Sequence, residues 1–404
     1  MMAILRHPFW SRAEQFFIRK KTILWFCVLL AVFVAVKQYR NHIMPDHAAG
    51  TLDVHYNNFL IFKYSFWHFV ENKNLYLSYL NEYIDYYLYG PIFPILIAPI
   101  AILPNFAGLL LWSLLNTLVF WAAICQLPIS HKKQCIIFWI AFNTLYTSLI
   151  NTQIHSLAAA LIVMSYTQVH RKNDWLATLF ILLGTFIKLY GMVGFVFFFF
   201  SKQKKKFILY SILWAGVLFF LPVLFSNLNY IIECYKNWYE ALAVKNTANF
   251  GNFRLDKCVM GMFRRLFRDN TLSDLYFIVP SLLLFGFTLI KINWNNVTHQ
   301  MMILASVLFY IILASSGAES PTYIIAFAGV GIWYMLSERT AFRNVLFWVT
   351  LAVSSFTPSD LMPPFIRNHI IYEYGLLPLP LFIVWLVLHY DLLRKPKLEI
   401  DRPR

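Results

Sequence analysis

A carboxylate, an imidazole and a phenol stand together in Asp53-Val54-His55-Tyr56, and two guanidinium groups close the run Gly261-Met262-Phe263-Arg264-Arg265. A carboxylate can take the proton from an attacking hydroxyl, an effect of roughly 10²–10⁴-fold. Neighbouring arginines offer donor forks that match phosphate oxygens, with Arg254 and Lys257 as reserves. That combination suits transfer of a group from a phosphate leaving group to a hydroxyl. Lys188 is the one charge within residues 175–201. A charge at mid-membrane costs about 2.5–3.5 kcal/mol on insertion scales, which marks it as a functional candidate. Glu319-Ser320-Pro321 places another carboxylate at a proline-led helix start. Each of these residues also has a structural use. Asp53 and Glu319 can cap helices, the arginines can attract anionic headgroups at about 1 kcal/mol each, and Lys188 can snorkel at a helix break. His55, His155 and His369 have no second His or Cys at metal-ligand spacing, so no metal and no cofactor are expected.

The elements that must position these groups are membrane helices. The 404 residues are 59% hydrophobic, 19% aromatic and only 13% charged, against about 25% charged in a soluble domain. Residues 91–131, 134–169, 207–232 and 298–318 contain no Asp, Glu, Lys or Arg. A spanning helix needs roughly 20 apolar residues, and the runs are continuous rather than alternating. The chain therefore reads as one all-α polytopic transmembrane domain over 1–404. Spans are expected near 22–38, 91–127, 134–150, 152–169, 174–200, 206–226, 274–290, 299–315, 321–337, 343–357 and 374–390. Residues 91–127, with Pro94, Pro99 and Pro104, and 174–200, with Gly191 and Gly194 as possible breaks, are too long for one helix. Splitting them gives about 12 transmembrane helices. The first span reads as a retained signal-anchor.

Lysine and arginine set the orientation. The amino-terminal segment, Lys202–Lys206, the turn with Arg339 and Arg343, and the tail with Arg394 belong inside. The first external loop is then 40–90 and the second large one 227–273. His131-Lys132-Lys133 and His170-Arg171-Lys172 fall inside or outside, depending on how the long segments split. Thirteen of the nineteen acids gather outside, so the chemistry is expected on that face. Tyr56, Phe59, Phe62, Phe66 and Phe69 recur at helical spacing, which predicts an interfacial amphipathic helix. Cys234 and Cys258 share an external loop and are expected to be free thiols. The net charge of +15 follows from the basic inner loops, and no nucleic-acid partner is expected.

The order of short motifs resembles glycosyltransferase family 87. Those motifs are Asp53, then Leu75-Tyr76, then Tyr89-Gly90-Pro91 with Phe93-Pro94, Trp112, Asn151-Thr152-Gln153, Lys188-Leu189-Tyr190, Asn246–Asn252 with Arg264-Arg265, and Glu319-Ser320-Pro321-Thr322-Tyr323. The likeness covers roughly residues 50–335. It departs at Thr152-Gln153, where a Gly-Gln is expected, and at Leu255-Asp256-Lys257, where relatives carry a Gln-Asp pair.

The resemblance implies a type C glycosyltransferase-like fold with interfacial helices in the external loops. It also implies transfer of a hexose, mannose above all, from a polyprenyl phosphate sugar to a glycan or glycolipid acceptor. Asp53 would be the inverting general base. Arg264, Arg265, Arg254, Lys257 and Lys188 would hold the donor phosphate. His55, Tyr56, Tyr89, Gln153, Glu319 and Tyr323 would contact substrate. The setting would be a lipid bilayer, the bacterial inner membrane, with the active site on the periplasmic side. The chain has no Walker loop or dinucleotide fingerprint, which suits a lipid-linked donor. A transporter or flippase of lipid-linked glycans is the competing reading, but only Lys188 lies inside a span and no two-fold repeat stands out. An O-antigen polymerase or ligase is another, against which stands the early Asp in the long first loop.

Overall fold

Backbone groups in hydrocarbon find no partner but one another, so each continuous apolar run closes into a helix. The computed structural model describes residues 14–40, 55–250 and 255–394, and it has no strand among them. In chain order the helices are α1 (Lys20–Arg40), α2 (Asn57–Val70), α3 (Phe93–Ala101), α4 (Asn105–Ile124), α5 (His131–Ile150), α6 (His155–His170), α7 (Asp174–Lys188), α8 (Lys204–Phe220), α9 (Leu228–Phe250), α10 (Val259–Phe267), α11 (Leu275–Lys291), α12 (Val297–Ala314), α13 (Tyr323–Leu336), α14 (Ala341–Thr350) and α15 (Leu379–Arg394). The innermost pair is α12 and α13, where every residue of 298–309 and 321–333 is buried. Asp53 and Arg254 lie outside the described residues.

The long segment 174–200 is apolar enough to cross a membrane once, yet it turns back on itself. The α-helix stops at Lys188, and Leu189–Phe200 returns beside α7 as a 3₁₀ arm. Ser201 Oγ donates to Asp174 Oδ2 at 2.7 Å, so both ends of the segment meet. The break falls at Leu189 and not at Gly191 or Gly194. The glycines are contact points instead: a Cβ on Gly191 would sit 2.4 Å from Ile181 O and 2.4 Å from Thr185 N. Residues 91–127 divide at Ile102–Pro104 into α3 and α4, and Lys63 Nζ holds that corner through Leu103 O and Asn105 Oδ1, both at 2.8 Å.

The hairpin fixes which turns share an end. His131 contacts Ile18 O at 2.9 Å, Arg171 reaches Gln126 Oε1 at 3.4 Å, and Lys204 lies over Trp294 at 5.5 Å. The His131 and His170 clusters are therefore on the same end as the segment before α1 and the run Lys202–Lys206. This basic end also carries the Arg343–Asp391 ion pair at 2.5 Å.

At the opposite end, α2 is less interfacial than its sequence suggests. Tyr56, Phe59, Leu60, Ile61, Phe62 and Phe69 are all buried, and Phe62 packs edge-on to Tyr89, Phe93 and Trp112. Loop 71–92 is pinned across it by His68–Glu82 at 2.6 Å and by Asn57, whose Oδ1 accepts from Ile84 N at 2.7 Å. Cys234 and Cys258 are buried free thiols.

Gly191→Ala is expected to destabilise the protein by about 1–3 kcal/mol through overpacking. Gly216→Ala, where nothing lies within 4 Å of the added carbon, is expected to be neutral or stabilising. Thermal unfolding of both variants in the same detergent, followed by tryptophan fluorescence, checks the contrast.

Candidate functional site

The tip of the hairpin opens into a cavity of about 560 Å³ at the end away from the basic turns. Six separate stretches of chain build its polar wall. The start of α2 brings Asn58, the loop before α3 brings Asp85 and Tyr89, and the start of α6 brings Gln153 and His155. The hairpin tip brings Lys188 and Tyr190, and the α12–α13 link brings Ser315, Ser316 and Glu319. The last turns of α9 close it with Trp238, Lys245, Asn246 and Asn249.

Glycine sets the tightest contact. Gly90 N donates to Ile187 O at 3.1 Å, and a Cβ on Gly90 would sit 1.9 Å from Phe186 O. No side chain fits there, so the loop lies directly on the hairpin tip. As a result Lys188 Nζ stands 5.2 Å from the ring centres of both Tyr89 and Tyr190. Aromatic faces attract a cation by their quadrupole. The Tyr89 hydroxyl in turn donates to Gln153 Oε1 at 3.3 Å. Asp85 and Lys245 pair with each other at 3.6 Å. None of the ion pairs among the described residues includes Lys188, so its charge is open to an anionic ligand. Asn249 is buried with its Oδ1 unpartnered among the described residues, another group suited to receive a ligand hydroxyl.

Thr152 precedes Gln153 with a φ of +48°. This left-handed conformation costs a β-branched residue roughly 1–2 kcal/mol and costs glycine little. The Gly-Gln expected here is thus what the backbone favours, and Trp112 Nε1 donating to Thr152 O at 3.1 Å helps hold the threonine in place.

A smaller chamber of about 310 Å³ adjoins the cavity across Leu255 and Glu319 and contains Lys257, Asn151 and Tyr372. Lys257 Nζ donates to Ser320 Oγ at 2.6 Å. Burial pushes its pKa down to about 8, against the upward pull of Glu319. The Glu319 backbone N–H donates to Thr322 Oγ1 at 3.2 Å as part of a capping box at the start of the Ser320–Thr322 turn, and Glu319 lines both chambers.

Tyr89, Gln153, Lys188 and Glu319 are thus brought together as their sequence motifs suggested, with Lys257 beside them. The arginines are not. A solvent-facing pair is expected from the loop, but Arg264 and Arg265 are only 1% and 8% exposed. Arg264 is ion-paired to both Asp256 and Asp274, donates to Leu272 O at 2.9 Å, and lies 3.9 Å over the Phe250 ring. Arg265 donates to Tyr372 O and Asp256 O at 3.2 and 3.0 Å. Neither lines the cavity. Buried carboxylates and carbonyls need these donors, so the pair fastens α10 to its surroundings. The Tyr323 hydroxyl is likewise committed to Lys257 O at 2.8 Å. Tyr56 is buried against Asn105, and His55 is exposed; neither lines the cavity.

Sequence reasoning passed over Asn58 and Lys245, counted Asp85 only among the outer acids, took Trp238 for an interface anchor rather than a wall of a sugar pocket, and set His155 aside as structural. The family-like stretch Asn246–Asn252 also pointed to the α9 wall. His155 Nε2 contacts Thr322 Oγ1 at 3.3 Å while its ring edges the cavity.

Removing one partner of a buried ion cluster costs roughly 3–5 kcal/mol. Arg264→Ala is therefore expected to lower the unfolding midpoint sharply. Lys188→Met, which swaps an open ammonium for an apolar chain of similar length, is expected to leave the midpoint unchanged or raised. Differential scanning fluorimetry of the two variants checks this.

The model of glycosyltransferase family 87 matches residues 87–356, a stretch that holds Tyr89, Gln153, Lys188, Lys257 and Glu319. No curated protein matches the chain.

Proposed function

Because the chain belongs to glycosyltransferase family 87, and so is a membrane glycosyltransferase, we propose that it moves a hexose, mannose by the family resemblance, from a polyprenyl phosphate to a glycan or glycolipid. The single observation that carries this reading is the Lys188 ammonium, outside every ion pair of the described residues, in a cavity that mixes hydrogen-bonding groups such as Asn58, Gln153 and Asn246 with apolar ones such as Phe62 and Leu242. A sugar phosphate needs both: donors and acceptors for the hydroxyls, and a cation for the charge that develops as the leaving group departs.

The acceptor hydroxyl attacks C1 of the donor sugar as the C1–O bond to phosphate breaks. The proton passes to a carboxylate, and the polyprenyl phosphate leaves with the bonding electrons. One displacement inverts C1, so a β-linked donor gives an α-linked product. Asp53 keeps the role of base by resemblance, and Asn58, five residues further on, lines the cavity. Asp85 is engaged by Lys245, and Glu319 is shared between the two chambers, which suits it to orient the acceptor. Lys188 receives the departing phosphate, with Lys257 behind it. The basic end lies in the cytoplasm by the positive-inside bias, which turns the cavity outward, toward the periplasm of a bacterial inner membrane. About 12 crossings follow if both arms of the hairpin are counted.

Transfer from polyprenyl phosphate mannose to membrane glycolipids is the test. Asp53→Asn is expected to cut kcat by about 10²–10⁴-fold with folding intact. Glu319→Gln is expected to raise acceptor KM and spare donor KM. Full activity of Asp53→Asn would refute its role.

The Lys257 ammonium is charged below about 8 and is lost as pH rises through that value. Donor kcat/KM, which reports the free enzyme, should fall on that alkaline limb. Lys257→Arg keeps its charge and should push the limb upward. An identical profile for both proteins would take Lys257 out of donor binding.

A further inference from the structure

We propose that the groove between loop 74–88 and α9 is a second carbohydrate subsite, which holds neutral sugar residues of the acceptor chain behind the one being glycosylated. This rests on the glycosyltransferase reading of the central cavity.

The groove has a volume of about 400 Å³ and runs directly into that cavity, since Asp85, Tyr86, Leu88 and Lys245 line both. A ligand seated in the cavity and longer than one sugar has this channel in which to continue. Its lining combines apolar Leu77, Ala241 and Val244 with polar Asn74, Asn237 and Glu240. Asn237 and Glu240 have no side-chain partner among the described residues. Asn74 spends its Oδ1 on Tyr76 N at 2.9 Å, which leaves its amide N–H groups to face a ligand. Tyr86 is 51% exposed, and Asp85, at φ +82°, accepts from Tyr86 N at 2.8 Å and so turns the ring outward.

Pyranose rings have apolar faces that pack on aromatic and aliphatic surface, and edges crowded with hydroxyls. Apolar side chains set among the Asn237 amide, the Asn74 N–H groups and the Glu240 carboxylate match both. A lipid chain fits worse, because it would lay hydrocarbon along Asp85, Asn237, Glu240 and Lys245. The charge balance selects against anionic sugars as well. Asp85 and Lys245 cancel each other, and Glu240 remains, so uronates or phosphorylated residues would be repelled.

The test measures binding of mannose and of linear α-linked mannotetraose to the full-length protein in lipid nanodiscs by saturation-transfer NMR. Stacking and two hydrogen bonds add enough for the tetraose to bind about tenfold tighter than mannose. Two groove variants should bring the tetraose down to the mannose value and leave mannose binding unchanged. One is the pair Asn237→Ala with Glu240→Ala, and the other is Val244→Trp, which fills the groove from an exposed helix position. Tetragalacturonate should show no gain over mannose. The proposal fails if wild type binds both sugars equally, or if the tetraose advantage survives in both variants. It also fails if the variants weaken dodecyl phosphate instead, which would make this a lipid groove. Transfer from polyprenyl phosphate mannose, assayed on the same samples, separates the two claims. A variant-sensitive tetraose advantage without any transfer would overturn the catalytic reading and keep the subsite.

Discussion

Everything at the cavity end is organised around the contact between Gly90 and the hairpin tip. An ammonium placed at the end of a helix inside an apolar bundle is costly, and here it is tolerated because two aromatic faces and a polar cavity receive it. Those faces reach Lys188 only because the Tyr89 loop can lie flat on Phe186 and Ile187, where any Cβ would collide. The same glycine-mediated closeness recurs within the hairpin, where Gly184 and Gly191 let the returning arm press on α7. Take away those close approaches and Lys188 loses its partners, Tyr89 loses its place beside Gln153, and the cavity has no floor.

A division of labour among the cations follows. Arg264 sits between two carboxylates and over a ring, and Arg265 on two carbonyls. Arg264 is engaged on every side and Arg265 through both terminal nitrogens, and together they hold a short amphipathic helix against the bundle. Lys188 and Lys257 carry one charge each in polar chambers, separated by the single carboxylate of Glu319. The arginines secure the wall, while the lysines line the chambers.

Much of this was legible beforehand. Charge-free runs placed nearly all the helices, because hydrocarbon admits no other local solution. The gathering of acids in a few links located the polar end. Lys188 stood out by the cost of its burial alone, and Tyr89, Gln153 and Glu319 followed from motif order. Less legible was whether 174–200 crosses once or folds back, since apolar composition is the same for both. The buried state of Arg264 was hidden too, because its partners Asp256 and Asp274 stand eight and ten residues away in an irregular stretch.

The amino-acid sequence by itself determined that this is a helical membrane protein whose basic turns and acidic links fall into separate groups. Those are properties of local composition, and solvent preference acts residue by residue. Only the tertiary structure decided which cations are free and which are spent, where the hairpin turns, and how six distant stretches close one cavity. Those depend on close approaches between segments far apart in the chain, and such distances are written in no single window of residues.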